Sequence, residues 1–187
     1  MTGEVVRTFY PRIEILDEAY EIPQLGRKRR ISVLLPYNYY ETEKEYPVLY
    51  LHDGQNLFDE YAPYGNWGVD KTLERMASQG MGEVIIVAID HGGVLRIQEY
   101  LPYTTPRYTE AEGHLYLRFM LEDLKPMIDK KYRVLEDRAS TGIGGSSLGG
   151  LISLYAGFEY PEIFGKKMIF SPSLWISEEI YQRAKSF

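Results

Sequence analysis

The residues best suited to chemistry lie in a glycine-rich segment, residues 142–150, which contains the pattern Gly145-x-Ser147-x-Gly149. A serine between two such glycines is typical of a nucleophile elbow, a tight turn from a strand into a helix that exposes the serine hydroxyl. Glycines are needed there because side chains would collide at so tight a turn. The pattern predicts Ser147 as a nucleophile. It also predicts the backbone N–H of Leu148, at the start of the following helix, as an oxyanion-hole donor.

Residues 142–150 have two alternative interpretations besides a nucleophile elbow. A glycine-rich turn between a strand and a helix can carry no chemistry at all. A phosphate-binding loop is disfavoured, because that motif requires Lys and then Ser or Thr after its last glycine, whereas Leu151 follows Gly150 here.

A second candidate lies in residues 51–59, Leu-His-Asp-Gly-Gln-Asn-Leu-Phe-Asp, directly after a predicted strand. In the architecture that an elbow implies, the loop after the third strand supplies the other N–H of the oxyanion hole, which we assign to Gly54 or Gln55. The alternative is a plain Asp-Gly turn. We interpret His52 as a histidine oriented by this loop rather than as a proton shuttle.

The elements that must position these residues can be predicted from apolar patterning. Strand-sized apolar runs occur at residues 5–15, 31–35, 48–51, 84–89, 141–143 and 168–170. Helical spacing occurs at residues 69–76, 117–128 and 148–156, and Ser177 can cap a last helix. Pro126 is expected to kink or shorten the second of these helices. Strands alternating with helices predict an α/β fold, a mostly parallel sheet with an antiparallel N-terminal edge that turns near Gly26.

Composition narrows the classes of protein. The chain has 187 residues, and we assign residues 1–187 to a single domain. A net charge of −6 with one short basic run, residues 27–30, disfavours nucleic acid as a partner. The absence of cysteine excludes disulfides, a thiol nucleophile and thiolate metal sites. No apolar stretch suits a signal peptide or a membrane span, so we expect no membrane partner and a cytoplasmic location by default.

Further motifs point to a family. They are residues 67–70 (Trp-Gly-Val-Asp), Arg96 with Glu99 and Tyr100, and residues 170–175 (Phe-Ser-Pro-Ser-Leu-Trp). Together with residues 51–59 and 145–150, they resemble the putative esterase family of the α/β-hydrolase superfamily, which includes feruloyl, acetyl-xylan and siderophore esterases. The resemblance implies an α/β-hydrolase-type three-layer sandwich that needs no cofactor and no metal.

The resemblance also implies a reaction and a substrate pocket. Ser147 would act with an Asp and a His to hydrolyse a carboxylic ester, expected to be an acylated carbohydrate or a similar ester. The pocket assigned on this basis contains His52, Asp53, Trp67 and Trp175. The two tryptophans have a nearly equal alternative as ordinary core aromatics.

The sequence departs from the family at the catalytic triad. Its partners follow the serine in chain order, yet His52, His91 and His114 all precede Ser147. We therefore expect a fold truncated after the sixth strand, a domain incomplete at its C-terminus, and weak or absent activity. An exposed sixth strand would favour self-association through that sheet edge.

Two alternatives to a serine esterase follow from this departure. The first is a non-catalytic binding or scaffold module that retains the hydrolase pocket. The second is a Ser147–His52 dyad, since both residues follow strands whose carboxyl ends share one edge of the sheet. The dyad ranks last, because His52 is expected on the oxyanion side of the site.

Overall fold

The structure is a computed structural model that describes residues 8–60, 62 and 65–186. Its centre is a six-stranded sheet in the order β1-β2-β4-β3-β5-β6. The strands are β1 (Arg12–Ile22), β2 (Arg27–Leu35), β3 (Val48–His52), β4 (Ile85–Ile89), β5 (Thr141–Ser146) and β6 (Lys166–Phe170). Strands β4, β3, β5 and β6 run parallel, whereas β2 is antiparallel to both β1 and β4. The predicted α/β fold with an antiparallel N-terminal edge is confirmed.

Helices cover both faces of the sheet. They are α1 (Val69–Ser78), α2 (Arg96–Tyr100), α3 (Gly113–Phe119), α4 (Lys125–Lys131), α5 (Leu148–Glu159) and α6 (Glu179–Lys185). Helix α1 packs Val69 and Leu73 onto one face, and α3, α4 and α5 contribute to the larger core on the other. The short α2 was not predicted, because five residues are too few to show a helical period. Within the described part of the chain, no helix has the length and apolarity to cross a membrane.

The N-terminal hairpin is longer than predicted. Part of the strand expected at residues 5–15 lies outside the described residues, and the described strand continues to Ile22. The chain then reverses through a turn in which Gly26 has a φ of +61°. Strand β2 begins at Arg27 rather than at residue 31, because residues 27–29 of the basic run pair with β1.

Residues 113–131 form one helical run that contains a wide turn. A π-helical segment, Met120–Leu124, lies between α3 and α4, and the N–H of Lys125 donates to the carbonyl of Met120 five residues earlier. Pro126 follows directly, has no N–H to donate, and carries a ring that crowds the preceding helical turn. The wide turn coincides with the irregularity that the proline predicts, and the helix continues past it.

Strand β6 forms one edge of the sheet and leaves side chains uncovered. Met168 and Phe170 are exposed. They share the sheet face of Gly144, where a Cβ would lie 2.6 Å from the Cβ of Met168. Among the residues that the structure describes, this part of the sheet therefore has an unpaired backbone edge beside a partly exposed apolar face.

Candidate active site

Ser147 lies between β5 and α5 in a conformation that non-glycine residues rarely adopt. Its φ is +58° and its ψ is −117°. The N–H of Ser147 donates to the carbonyl of Phe170 (3.0 Å), and its carbonyl accepts the N–H groups of Leu151 and Ser173 (both 3.0 Å). A strained residue of this kind costs about 1–3 kcal/mol and persists only where its surroundings impose it. The structure thus has the tight strand-to-helix turn that the sequence predicted.

Steric contacts explain both glycines of the motif. A Cβ on Gly145 would lie 2.8 Å from the carbonyl carbon of Gly149, closer than carbon atoms pack. A Cβ on Gly149 would lie 3.2 Å from Oδ2 of Asp53 and 3.3 Å from the Cβ of His52. Gly145 therefore permits the turn to close, and Gly149 permits the loop after β3 to approach the start of α5.

Ser173 holds the hydroxyl of Ser147. The two Oγ atoms lie 2.9 Å apart, in hydrogen-bond distance, and Ser173 is only 3% exposed. The loop that carries Ser173 follows β6 and includes Ser171, whose φ is +40°. The Ser-Pro-Ser loop is part of the family motif at residues 170–175, but the sequence predicts no role for Ser173, since the contact joins residues 26 positions apart.

Ser147 lies beside a cavity of about 520 Å³ at the carboxyl ends of the parallel strands. Residues that line this cavity include Asp53, Asn56, Trp67, Arg96, Ser147 and Leu148. Ligands of open α/β sheets bind at this edge, because neighbouring loops separate there and leave a crevice.

The turn after β3 lies next to Ser147 as predicted, because β3 pairs with β5, the strand before Ser147, through Leu51 and Gly144. It is a 3₁₀ turn, Gly54–Asn56, preceded by Asp53 with a φ of +58°. The first N–H groups of such a turn have no partner within it, which leaves those of Gly54 and Gln55 as candidate donors.

The two candidates are not among the residues that line the cavity. Gly54 packs against β4, and a Cβ there would lie 2.7 Å from Oδ1 of Asp90. The side chain of Gln55 spans to the backbone of His91, accepting its N–H at 2.9 Å and donating to its carbonyl at 3.4 Å. Their assignment to the oxyanion hole remains a prediction.

An ion pair joins the turn after β3 to α2. Arg96 donates from Nε to Oδ1 of Asp53 (2.7 Å) and from Nη2 to Oδ2 (2.8 Å), the bidentate geometry in which Arg binds carboxylates most specifically. The same nitrogen lies 3.5 Å from the carbonyl oxygen of Ser146, the residue before Ser147. The sequence predicted neither the pair nor its place beside Ser147, because no local pattern records a contact between residues 43 positions apart.

His52 lies beneath the site rather than in it. It is fully buried, its Nδ1 lies 2.9 Å from the hydroxyl of Tyr116, and its ring packs against Tyr100 at 5.3 Å. Burial lowers the pKa of His52 to about 4, so the ring is neutral at pH 7. The structure therefore places His52 outside the predicted pocket. A Ser147–His52 dyad would require a hydrogen bond between the two side chains, and the structure shows none.

His91 lines the cavity, although the sequence predicted no role for it. It follows β4, and β3 lies between β4 and β5. Its strand is thus two spacings, about 10 Å, from that of Ser147. Its Nδ1 accepts the N–H of Gly93 (3.0 Å), and burial lowers its pKa.

The two tryptophans occupy different environments. Trp67 lines the cavity, is 39% exposed, and meets the ring of Phe170 edge-on at 6.0 Å. Trp175 is 72% exposed and is not among the lining residues. Neither is an ordinary core aromatic, and only Trp67 lies where a pocket residue was predicted.

Comparisons with known proteins agree with this geometry. A family model described as "Putative esterase" matches residues 22–186. The chain is 29% identical over 79% of its length to the uncharacterized protein YbbA of Bacillus subtilis (strain 168), and 26% identical over 83% to an endo-1,4-beta-xylanase/feruloyl esterase of Xylanibacter ruminicola. It spans 58% and 21% of those relatives, respectively. A solved ferulic acid esterase superimposes with a TM-score of 0.68 at 28% identity, covering 89% of this chain and 60% of that one.

Proposed function

This chain belongs to the putative esterase family, and from that premise we propose that it carries the nucleophile half of a serine carboxylic-ester hydrolase site. The observation that carries the proposal is Ser147, held at a φ of +58° between β5 and α5 beside the cavity. Strain at a solvent-facing serine is typical of a hydroxyl positioned for attack.

The proposed chemistry begins with the hydroxyl of Ser147. Its oxygen attacks the ester carbonyl, the bond to the alcohol breaks, and water later hydrolyses the acyl-enzyme. The N–H of Leu148 is proposed to bind the oxyanion, with Gly54 or Gln55 supplying a second N–H. An acylated carbohydrate or a similar ester is the proposed substrate, since one relative is named as a xylanase and feruloyl esterase.

The rate of this chemistry depends on a base that takes the hydroxyl proton of Ser147. No histidine follows Ser147 in the sequence. Ser173, the hydroxyl that contacts the nucleophile, is too weak a base to take its proton at neutral pH. Loss of triad members leaves about 10³–10⁴-fold acceleration over water from the oxyanion hole and binding. We propose that this chain alone hydrolyses esters weakly or not at all.

The second candidate function is a non-catalytic binding module that keeps the cavity. The observation that favours it is the partner of the nucleophile, which is the neutral hydroxyl of Ser173 rather than a base. The cavity, with the Arg96–Asp53 ion pair beside it, needs no base to bind an ester or its products.

Turnover of an aryl acetate tests the proposed function. The variants are Ser147→Ala, His52→Ala and His91→Ala, with Ser78→Ala as an exposed control of the same chemistry. We expect slow turnover that Ser147→Ala abolishes and that His52→Ala and Ser78→Ala retain. Loss in a folded His91→Ala variant would identify His91 as the base.

Turnover that survives Ser147→Ala would overturn the assignment of the nucleophile. Turnover indistinguishable from buffer in every protein would favour the binding module. In that case, a C-terminal extension bearing an Asp and a His is expected to restore activity only if the site is an incomplete hydrolase.

A further inference from the structure

Asn56 lines the cavity beside Ser147, and its side chain lacks a full set of hydrogen bonds. Asn56 is 8% exposed, and within the described residues its Oδ1 is buried with no hydrogen-bond partner. Its backbone is fixed, since the N–H donates to the carbonyl of Asp53 (2.8 Å) and the carbonyl accepts the N–H of Trp67 (2.9 Å).

A buried amide oxygen without a donor is unfavourable, because it has lost water and gained nothing in return. Buried polar groups are nearly always satisfied, so each exception requires an explanation. At Asn56 the adjoining cavity suggests one, since a molecule bound there could supply the missing donor once the carboxamide turns toward it. The terminal torsion of asparagine is soft, so the carboxamide can turn toward a ligand while the backbone stays in place.

The surroundings agree with a ligand-binding role. The N-terminus of α5, a twelve-residue helix, borders the same cavity at Leu148 and favours a developing negative charge. Trp67 lines another part of it and is tied to the backbone of Asn56. The cavity thus combines a site for the reacting oxygen, an aromatic wall and Asn56, whose buried amide oxygen lacks a donor.

We propose that Asn56 is a specificity-determining residue that accepts a hydrogen bond from a hydroxyl or N–H group on the acyl or alcohol part of the ester. The inference rests on the proposed function for the identity of the ligand as an ester. Its consequence is selectivity: the site prefers ligands that carry such a donor over matched ligands that lack it.

Binding of hydrolysis-product analogues tests the inference without turnover. Titrations followed by the backbone amide signal of Leu148 compare 4-hydroxybenzoate with benzoate for the acyl side, and 4-hydroxybenzyl alcohol with benzyl alcohol for the alcohol side. We expect the hydroxylated member of one pair to bind about fivefold more tightly, the effect of one hydrogen bond. Asn56→Leu is expected to reduce that preference to less than about twofold. Gln182→Leu, which removes an exposed amide, is expected to preserve it.

Asn56→Ala is measured as a second variant because leucine at this buried position could disturb folding, whereas alanine only shortens the side chain. Equal binding within both pairs, no binding of any of the four molecules, or a preference that survives in Asn56→Ala would overturn the inference. Failure of the proposed function is distinguishable, because it is measured as ester turnover that survives Ser147→Ala, whereas the binding preference is measured without turnover.

Discussion

The contact between Gly145 and Gly149 allows the elbow to be tested through stability alone. A methyl group on Gly145 would lie 2.8 Å from the carbonyl carbon and 3.0 Å from the Cα and carbonyl oxygen of Gly149. These are backbone atoms at the start of α5, so they cannot rotate away as a side chain would. Overpacking of this kind costs about 1–3 kcal/mol. We predict that Gly145→Ala destabilises the protein by about this amount.

The matched control is Gly82→Ala. A Cβ on Gly82 meets nothing within 4 Å. Its backbone also lacks the positive φ that would disfavour alanine, so this change is expected to be neutral or slightly stabilising. For a chain of this size each kcal/mol shifts Tm by roughly 2–4 °C. Thermal unfolding should therefore place Gly145→Ala roughly 2–12 °C below Gly82→Ala. Equal Tm values would refute the close approach of β5 and α5 on which the elbow depends.

Three further predictions concern neighbouring features. Burial lowers the pKa of His52 from 6.5 to about 4, so between these pH values the unfolded chain binds a proton at His52 that the folded chain does not. The free energy of unfolding should therefore decrease by up to about 3 kcal/mol as the pH is lowered from 6.5 to 4. Denaturation should show a shallower fall in His52→Gln but not in the exposed control His114→Gln. A double-mutant cycle of Ser147→Ala and Ser173→Ala should give a coupling of about 0.5–1.5 kcal/mol, and additivity would contradict their hydrogen bond. The free β6 edge should cause concentration-dependent self-association in sedimentation, weakened by Met168→Lys; a monomer at every concentration would contradict it.

Local sequence patterns predicted most of the elements that surround the site. The apolar run at residues 84–89 is strand β4, and the apolar segment after Ser147 is helix α5. The glycine spacing around Ser147 located the turn itself, because the constraint acts between residues only four positions apart. Constraints between residues a few positions apart can be read directly from the sequence.

The errors in extent have a common cause. Strand β2 starts at Arg27 because its first, polar residues pair with β1. No apolar pattern indicates this pairing. Helix α2 is only five residues long, and its buried Glu99 is held by Arg29 from β2 at 2.6 Å. Tertiary contacts, rather than the local pattern, supply the energy for such segments.

What the sequence by itself determined is the α/β class, the family, and the position of one serine on a strand-to-helix turn. Only the tertiary structure decided which groups surround that serine. In the folded chain His52 lies within hydrogen-bond distance of Tyr116, Ser147 lies within hydrogen-bond distance of Ser173, and Asn56 lines the cavity. The physical reason is that each of these depends on which side chains from distant strands and loops meet at one edge of the sheet. Packing and hydrogen bonding settle that only after the chain has folded.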